Sequence, residues 1–170
     1  TMFCPRGKML GGSSSHNGMV HVRGNAKDFD NWGQLGLTDW TYDKVLPYFK
    51  KSESVEGLDS NFRGESGPLK LSRSPNGNIL SQVYLNAAQQ AGYQINNDMN
   101  GERQEGFGLM DTTIFNGKRQ STSVTYLHPI KHRSNLEILT NVTVNKILFE
   151  NKKAVGVECK ANGKNKKYFS

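Results

Sequence analysis

Among the residues of this sequence, paired glycines followed by serines are the ones best suited to hold a ligand. The run Gly11-Gly12-Ser13-Ser14-Ser15-His16-Asn17 sets two residues without a Cβ beside three small hydroxyl side chains. Backbone N–H groups can approach a bound molecule to contact distance there, because no side chain intervenes. Arg6 and Lys8, just upstream, could balance the charge of a phosphate-bearing ligand. Two familiar phosphate loops are ruled out. Gly7-Lys8 lacks the upstream glycine and following Ser or Thr of a Walker A loop, and no GxGxxG occurs in the chain. Taken alone, a Gly/Ser run is more often a turn or linker than a binding loop.

The other chemically capable residues say less. His21 stands beside the run, where a structural role outweighs a ligand contact. His128 and His132 have i, i+4 spacing, but Pro129 breaks the helix that a metal-binding pair would need. No metal is expected. Cys4 and Cys159 have neither zinc-ligand nor CxxC spacing, so two free thiols are the default expectation and a disulfide between them is the alternative. Asn141-Val142-Thr143 is a glycosylation sequon at an expected strand start.

The elements that must position these residues follow from pattern. The length of 170 residues suits one domain or part of a larger one, and 35% hydrophobic content with periodic apolar positions excludes a disordered chain. No apolar stretch approaches the roughly 20 residues of a membrane span. Residues 5–12 read as an ordered loop. Met19, Val20 and Val22 form an apolar patch expected to pack on the core, and Asp28, Phe29 and Trp32 lead into a loop over 33–36. Thr41 can cap a helix with Tyr42, Val45, Leu46 and Phe49 on its apolar face, which Pro47 would kink or shorten. Residues 50–78, with breakers such as Gly64, Gly67, Pro75 and Gly77, read as an excursion with one strand over 68–71. Ile79, Leu80, Val83, Tyr84, Ala87, Ala88 and Ala91 recur at helical spacing and end at a capping Gly92. Turns and short strands fill 93–116, and a helical start at 121–127 is stopped by Pro129. Strands are expected over 136–139, 142–149 and 154–158, the last two joined by a tight turn at 151–153. Residues 166–170 look like a further strand with nothing after it to pair with, which reads as the end of a fragment.

The formal net charge of +7 concentrates in residues 131–170, where nine Lys or Arg face three Glu. Their scatter through an apparent hairpin, with only Tyr168 and Phe169 as nearby aromatics, reads as a solvated face, and nucleic acid is not an expected partner.

A longer string gives the glycine-serine run its meaning. Gly7-Lys8-Met9-Leu10-Gly11-Gly12-Ser13-Ser14-Ser15-His16-Asn17-Gly18-Met19-Val20-His21-Val22-Arg23-Gly24-Asn25 resembles the first signature of the glucose-methanol-choline (GMC) oxidoreductases. The resemblance continues through Asp39-Trp40, Leu46-Pro47-Tyr48-Phe49 with Glu53, Gly67-Pro68-Leu69, Gln104-Glu105-Gly106-Phe107-Gly108, Gly117-Lys118-Arg119-Gln120-Ser121, Asn135–Thr140 and Ala154–Glu158. It departs at Arg63, near which the family usually carries His. It implies an α/β fold: a discontinuous, Rossmann-like FAD-binding domain with part of an α+β substrate-binding domain. Residues 1–36 and 120–170 would belong to the first, 37–119 mostly to the second.

The resemblance further implies FAD as cofactor, held by Met9, Gly11, Gly12, Ser13, His16, Asn17, Gly18, Met19 and Val20, with Val144 meeting the adenine. His16 departs from the aliphatic residue most relatives carry and matches choline oxidase-like members, whose His is bonded to the flavin. A covalent link at His16 is one expectation, and a His packed near the ring without a bond is the other. The implied reaction is oxidation of an alcohol (choline, a sugar or another) by hydride transfer to flavin, with oxygen or a quinone as electron acceptor. The family's catalytic base lies near its C-terminus and has no counterpart here, so no catalytic residue is expected in this chain. A catalytically inactive family member serving as carrier, and a basic polyanion-binding module, are the alternatives. Compartment is left open, secreted and organellar alike.

Overall fold

The computed structural model describes residues 2–73 and 78–169. The chain folds as two compact units, Thr1–Ile130 and Lys131–Ser170.

In the first unit, the glycine-serine run forms a turn and a short 3-10 helix, Gly12–Ser15, followed by strand β1 (Val20–His21). The patch expected to be buried is not. Val20 is 52% and Val22 48% exposed, and Arg23 between β1 and the next helix is the enclosed residue at 6%. A two-residue strand alternates its side chains, and here the inward positions carry hydrogen-bonding groups rather than apolar ones.

Helix α1 (Ala26–Gln34) occupies the stretch read as a lead into a loop. The Asn25 side chain accepts from Lys27 N–H at 3.0 Å, which satisfies an otherwise orphaned donor of the first turn. Phe29 and Trp32, three residues apart, then share one face. A 3-10 turn, Thr38–Trp40, leads to helix α2 (Tyr42–Ser52) with Thr41 at its N-cap. The Thr41 hydroxyl donates to the Asp43 carboxylate, not to the backbone. Pro47 does not end the helix, which runs on to Ser52. Aromatic packing offsets the lost hydrogen bond: the Phe29 ring meets Phe49 at 5.6 Å and Trp32 at 5.3 Å, both edge-on.

Strand β2 (Glu53–Ser54) follows α2 directly and pairs in parallel with β3 (Leu69–Lys70). Then comes β4 (Ser72–Arg73), so the excursion holds more strand than expected. Its breakers Pro75 and Gly77 lie outside the described residues. Helix α3 (Ile79–Gln90) matches its periodicity, with Asn78 accepting from Leu80 N–H at 2.9 Å and Gly92 at φ +86° closing the C-terminal end. Strand β5 (Asp111–Thr112) pairs antiparallel with both β1 and β4, making a three-stranded sheet in the order β1-β5-β4. Strands β6 (Ile114–Phe115) and β7 (Lys118–Arg119) form a hairpin around Asn116-Gly117, both at positive φ. The helical start after Ser121 becomes a π-helical turn, Ser123–Leu127, and a 3-10 turn, His128–Ile130.

The second unit is a meander of β8 (Val142–Glu150), β9 (Lys153–Ala161) and β10 (Lys164–Phe169), in the order β10-β9-β8. The Asn151-Lys152 turn has both residues at positive φ, as a two-residue hairpin requires. Two expectations change here. Residues 136–139 form no strand: an extended segment becomes one only when another strand meets its N–H and C=O groups, and no described segment does so. The last segment does have a partner. It turns back at Asn162-Gly163 and pairs with the strand before it, Lys166 opposite Cys159. Cys159 is buried at 2%, Cys4 is exposed, and both are free thiols.

Among the described residues, no helix is long and apolar enough to cross a membrane, and no group of three or more His, Cys, Asp or Glu could hold a metal ion.

Candidate functional site

Nine of the ten residues singled out for cofactor contact lie in one continuous loop of the first unit, from Met9 to Val20. Its shape is set by hydrogen bonds within the run. Gly7 N–H donates to Ser13 Oγ at 3.1 Å, Gly12 N–H to Met9 O at 2.9 Å, and Ser15 Oγ to Leu10 O at 2.8 Å. Ser14 Oγ donates to Gly11 O. The hydroxyl protons of Ser14 and Ser15 are thus used inside the loop and are not free for a ligand. Ser13 accepts and keeps its proton. The loop closes as Asn17 N–H donates to Ser13 O at 2.9 Å and Met19 N–H to Asn17 Oδ1 at 3.1 Å.

Two glycines give the loop its open side. A Cβ at Gly12 or Gly18 would meet no atom within 4 Å, so a flat ring can reach bare backbone there. Met9 is 56% exposed, and the His16 side chain is exposed beside these positions. The tenth residue, Val144, lies on β8 of the second unit opposite Cys159 and is 55% exposed.

The loop's other side is held by residues 119–123. Arg119 Nη1 donates to Ser14 O at 3.2 Å, Asn17 O at 2.8 Å and Asn17 Oδ1 at 2.7 Å. Thr122 N–H donates to Ser14 Oγ at 3.0 Å, and its hydroxyl to Gly11 O at 3.2 Å. The β6–β7 hairpin and the turn after it deliver these groups. Nothing in the sequence pattern marked Arg119 as a partner of Asn17; the two are 102 residues apart.

Beneath β1 lies a cluster of charged side chains whose centre is more enclosed than any apolar residue of the first unit. Arg63 is 1% exposed and donates from Nε to Glu53 Oε1 at 2.7 Å, from Nη1 to Asp98 Oδ1 at 2.5 Å, and from Nη2 to Asp111 Oδ2 at 2.7 Å. Glu53, also 1% exposed, further accepts from Arg23 Nη2 at 2.8 Å, and its Oε2 pairs with His21 Nε2 at 3.1 Å. Sheet register explains the convergence: β5 places Asp111 between His21 of β1 and Arg73 of β4. Burial pushes the Glu53 carboxyl upward, but the His21 and Arg63 hydrogen bonds and the Arg23 and Arg63 charges outweigh it and hold the pKa at about 2. Burial likewise works against the Arg63 charge, and its Glu53 and Asp111 partners more than restore it, so its pKa is raised. His21 is thereby occupied as a structural partner of Glu53. His128 in turn lies 3.3 Å from Ser123 Oγ through Nε2.

The geometry defines a mixed α/β chain whose glycine-rich loop is open on one side, clasped on the other and braced by a buried ion-pair cluster. The family model described as GMC oxidoreductase matches residues 1–170, and the chain belongs to that family. It is 46% identical over 169 residues to the mitochondrial choline dehydrogenase of Homo sapiens, covering 99% of this chain and 28% of that protein. It is 48% identical over 161 residues to the oxygen-dependent choline dehydrogenase of Brucella ovis, covering 95% of this chain and 29% of the relative. The chain therefore spans less than a third of the length of these relatives. Among solved structures it resembles pyridoxine 4-oxidase from Mesorbium loti, with TM-score 0.88, 25% identity, and coverage of 96% of this chain and 33% of that one. An FAD-dependent oxidoreductase from Chaetomium thermophilum is similar at TM-score 0.85 and 28% identity, covering 97% of this chain and 31% of its own.

Proposed function

We propose that this chain is the cofactor-holding part of an FAD-dependent oxidoreductase acting on the CH–OH group of an alcohol. The observation that carries the reading is the Met9–Val20 loop, whose bare backbone at Gly12 and Gly18 fits the approach of a flat ring. Identities of 46% and 48% to two choline dehydrogenases favour choline or a similar amino alcohol as substrate. When bound, FAD supplies the hydride acceptor at N5.

The chain's own residues hold and shield. Met9, Gly11, Gly12, Ser13, Gly18, Met19 and Val20 form the backbone and apolar surface against which the cofactor rests, and Val144 meets the adenine end. Residues 1–36 and 120–170 serve the FAD-binding domain and 37–119 mostly the substrate-binding domain. Oxygen or a quinone takes the electrons onward. His16 stands exposed at the end of the 3-10 turn, where choline oxidase-like members carry a flavin-linked His, and we take it as the attachment point.

The test is an absorbance spectrum of the full-length protein, followed by anaerobic addition of choline. A flavin spectrum that bleaches on addition is expected. Protein without flavin would sink the reading of the site; flavin that no alcohol bleaches would sink the activity.

A further inference from the structure

The hydrogen bonds behind the loop fix more than its shape. Asn17 Oδ1 receives two donors, Arg119 Nη1 at 2.7 Å and its neighbour Met19 N–H at 3.1 Å. Rotating the amide by half a turn would set its N–H groups against two other donors and lose both bonds. The amide therefore has one orientation, with its oxygen turned towards Arg119. Its N–H groups have no partner among the described residues, and Asn17 is exposed. Arg119 cannot easily turn away, because the same Nη1 also donates to the carbonyls of Ser14 and Asn17.

We infer that Arg119 is a positioning residue that orients the Asn17 amide so that it offers hydrogen-bond donors, not an acceptor, to the flavin. The inference rests on the proposed cofactor site. An oxidised flavin ring carries carbonyl oxygens and unprotonated ring nitrogens along its edge, and these gain negative charge on reduction. Fixed N–H donors aimed at such atoms favour the reduced state and raise the reduction potential. Arg119 acts through Asn17, and its own charge is a secondary influence.

The experiment compares flavin reduction potentials of the full-length holoenzyme and its Arg119→Met, Arg119→Lys and Asn17→Leu variants, with the double variant Asn17→Leu/Arg119→Met. Arg119→Met and Asn17→Leu are expected to lower the potential, and Arg119→Lys to recover part of the loss. The double variant should lie no lower than Asn17→Leu alone, because Arg119 has nothing left to orient. Flavin bound at the wild-type potential in Arg119→Met overturns the inference, as does an additive double variant, which would make the arginine's charge the cause. If Arg119→Met does not fold, Asn17→Leu decides the matter: an unchanged potential overturns the inference. Wild-type protein that carries no flavin overturns the reading of the site, and this inference with it, so the two failures are distinct.

Discussion

Replacing Arg63 by methionine tests whether the buried ion-pair cluster holds the first unit together. In the native arrangement one guanidinium serves three carboxylates at 2.5–2.7 Å, and its side chain is fully enclosed. Methionine fills much of the volume but leaves Glu53 and Asp111 ionised, buried and short of a cation. Some of that loss is absorbed. Glu53 keeps Arg23, His21 and the Gly64 N–H, Asp111 keeps Asn100 and the longer Arg73 contact at 3.5 Å, and Asp98 is partly open to water. Breaking a buried ion pair from one side costs about 3–5 kcal/mol, and partial compensation places this site within that range, not above it. Against a total stability of roughly 5–15 kcal/mol the loss is large. For a chain of this size it corresponds to a fall of roughly 6–20 °C in melting temperature. Thermal unfolding followed by far-ultraviolet circular dichroism reads it directly. Arg63→Lys should fall between wild type and methionine, because an ammonium cannot serve three carboxylates in a fork. Adding Glu53→Gln to Arg63→Met should recover part of the loss, since it removes one of the stranded charges. A fall of less than about 3 °C in Arg63→Met would refute the reasoning, because it would make the cluster energetically idle.

Three further outcomes follow from the same geometry. Glu53 has a folded-state pKa of about 2 against an ordinary 4.5, so its contribution is complete above about pH 4.5 and disappears as pH falls through about 2. That interval amounts to about 3 kcal/mol, so Glu53→Gln should flatten melting temperature against pH in this window; a profile parallel to wild type would contradict it. Gly64→Ala would drive a Cβ into the Lys50 carbonyl and to 2.9 Å from Glu53 O, and a loss of about 1–3 kcal/mol in urea unfolding is expected, with an unchanged midpoint as the contrary result. Finally, acid precipitation of the wild-type holoenzyme should carry flavin into the pellet, while His16→Ala should release it; flavin in the wild-type supernatant would dispose of the covalent link.

How much of this was legible in the sequence depends on what kind of force holds each piece. Helix α3 and the β8–β9 hairpin were readable because their information is local: a 3.6-residue apolar period ending at Gly92, and a turn at Asn151-Lys152 between two apolar runs. Helix α1 was missed because its signal is an N-cap at Asn25 and a pair of aromatics, whose partners Trp40, Tyr42 and Phe49 come only from the segment that follows. The Met9–Val20 loop stood out through a long family string, yet nothing in that string shows that the hydroxyl protons of Ser14 and Ser15 are used inside the loop. The clasp and the cluster were not legible at all. Asn17 meets Arg119 across 102 residues, and Arg63 meets Glu53, Asp98 and Asp111 through three separate turns of the chain. No periodicity marks such partners, since each is a single polar residue in a turn or a two-residue strand.

That division has a physical consequence for the site. A glycine-rich loop with open backbone has little packing of its own and would lose much entropy on being ordered. Here the order comes from elsewhere: from the Arg119–Thr122 segment that fastens Gly11, Ser14 and Asn17, and from β1, which pairs with β5 while His21 and Arg23 reach Glu53. The residues that would touch the cofactor can therefore stay small and exposed. Arg63, the residue at the centre of the brace, lies outside the loop. Its three carboxylates form a network that a neutral side chain at this position could not neutralise.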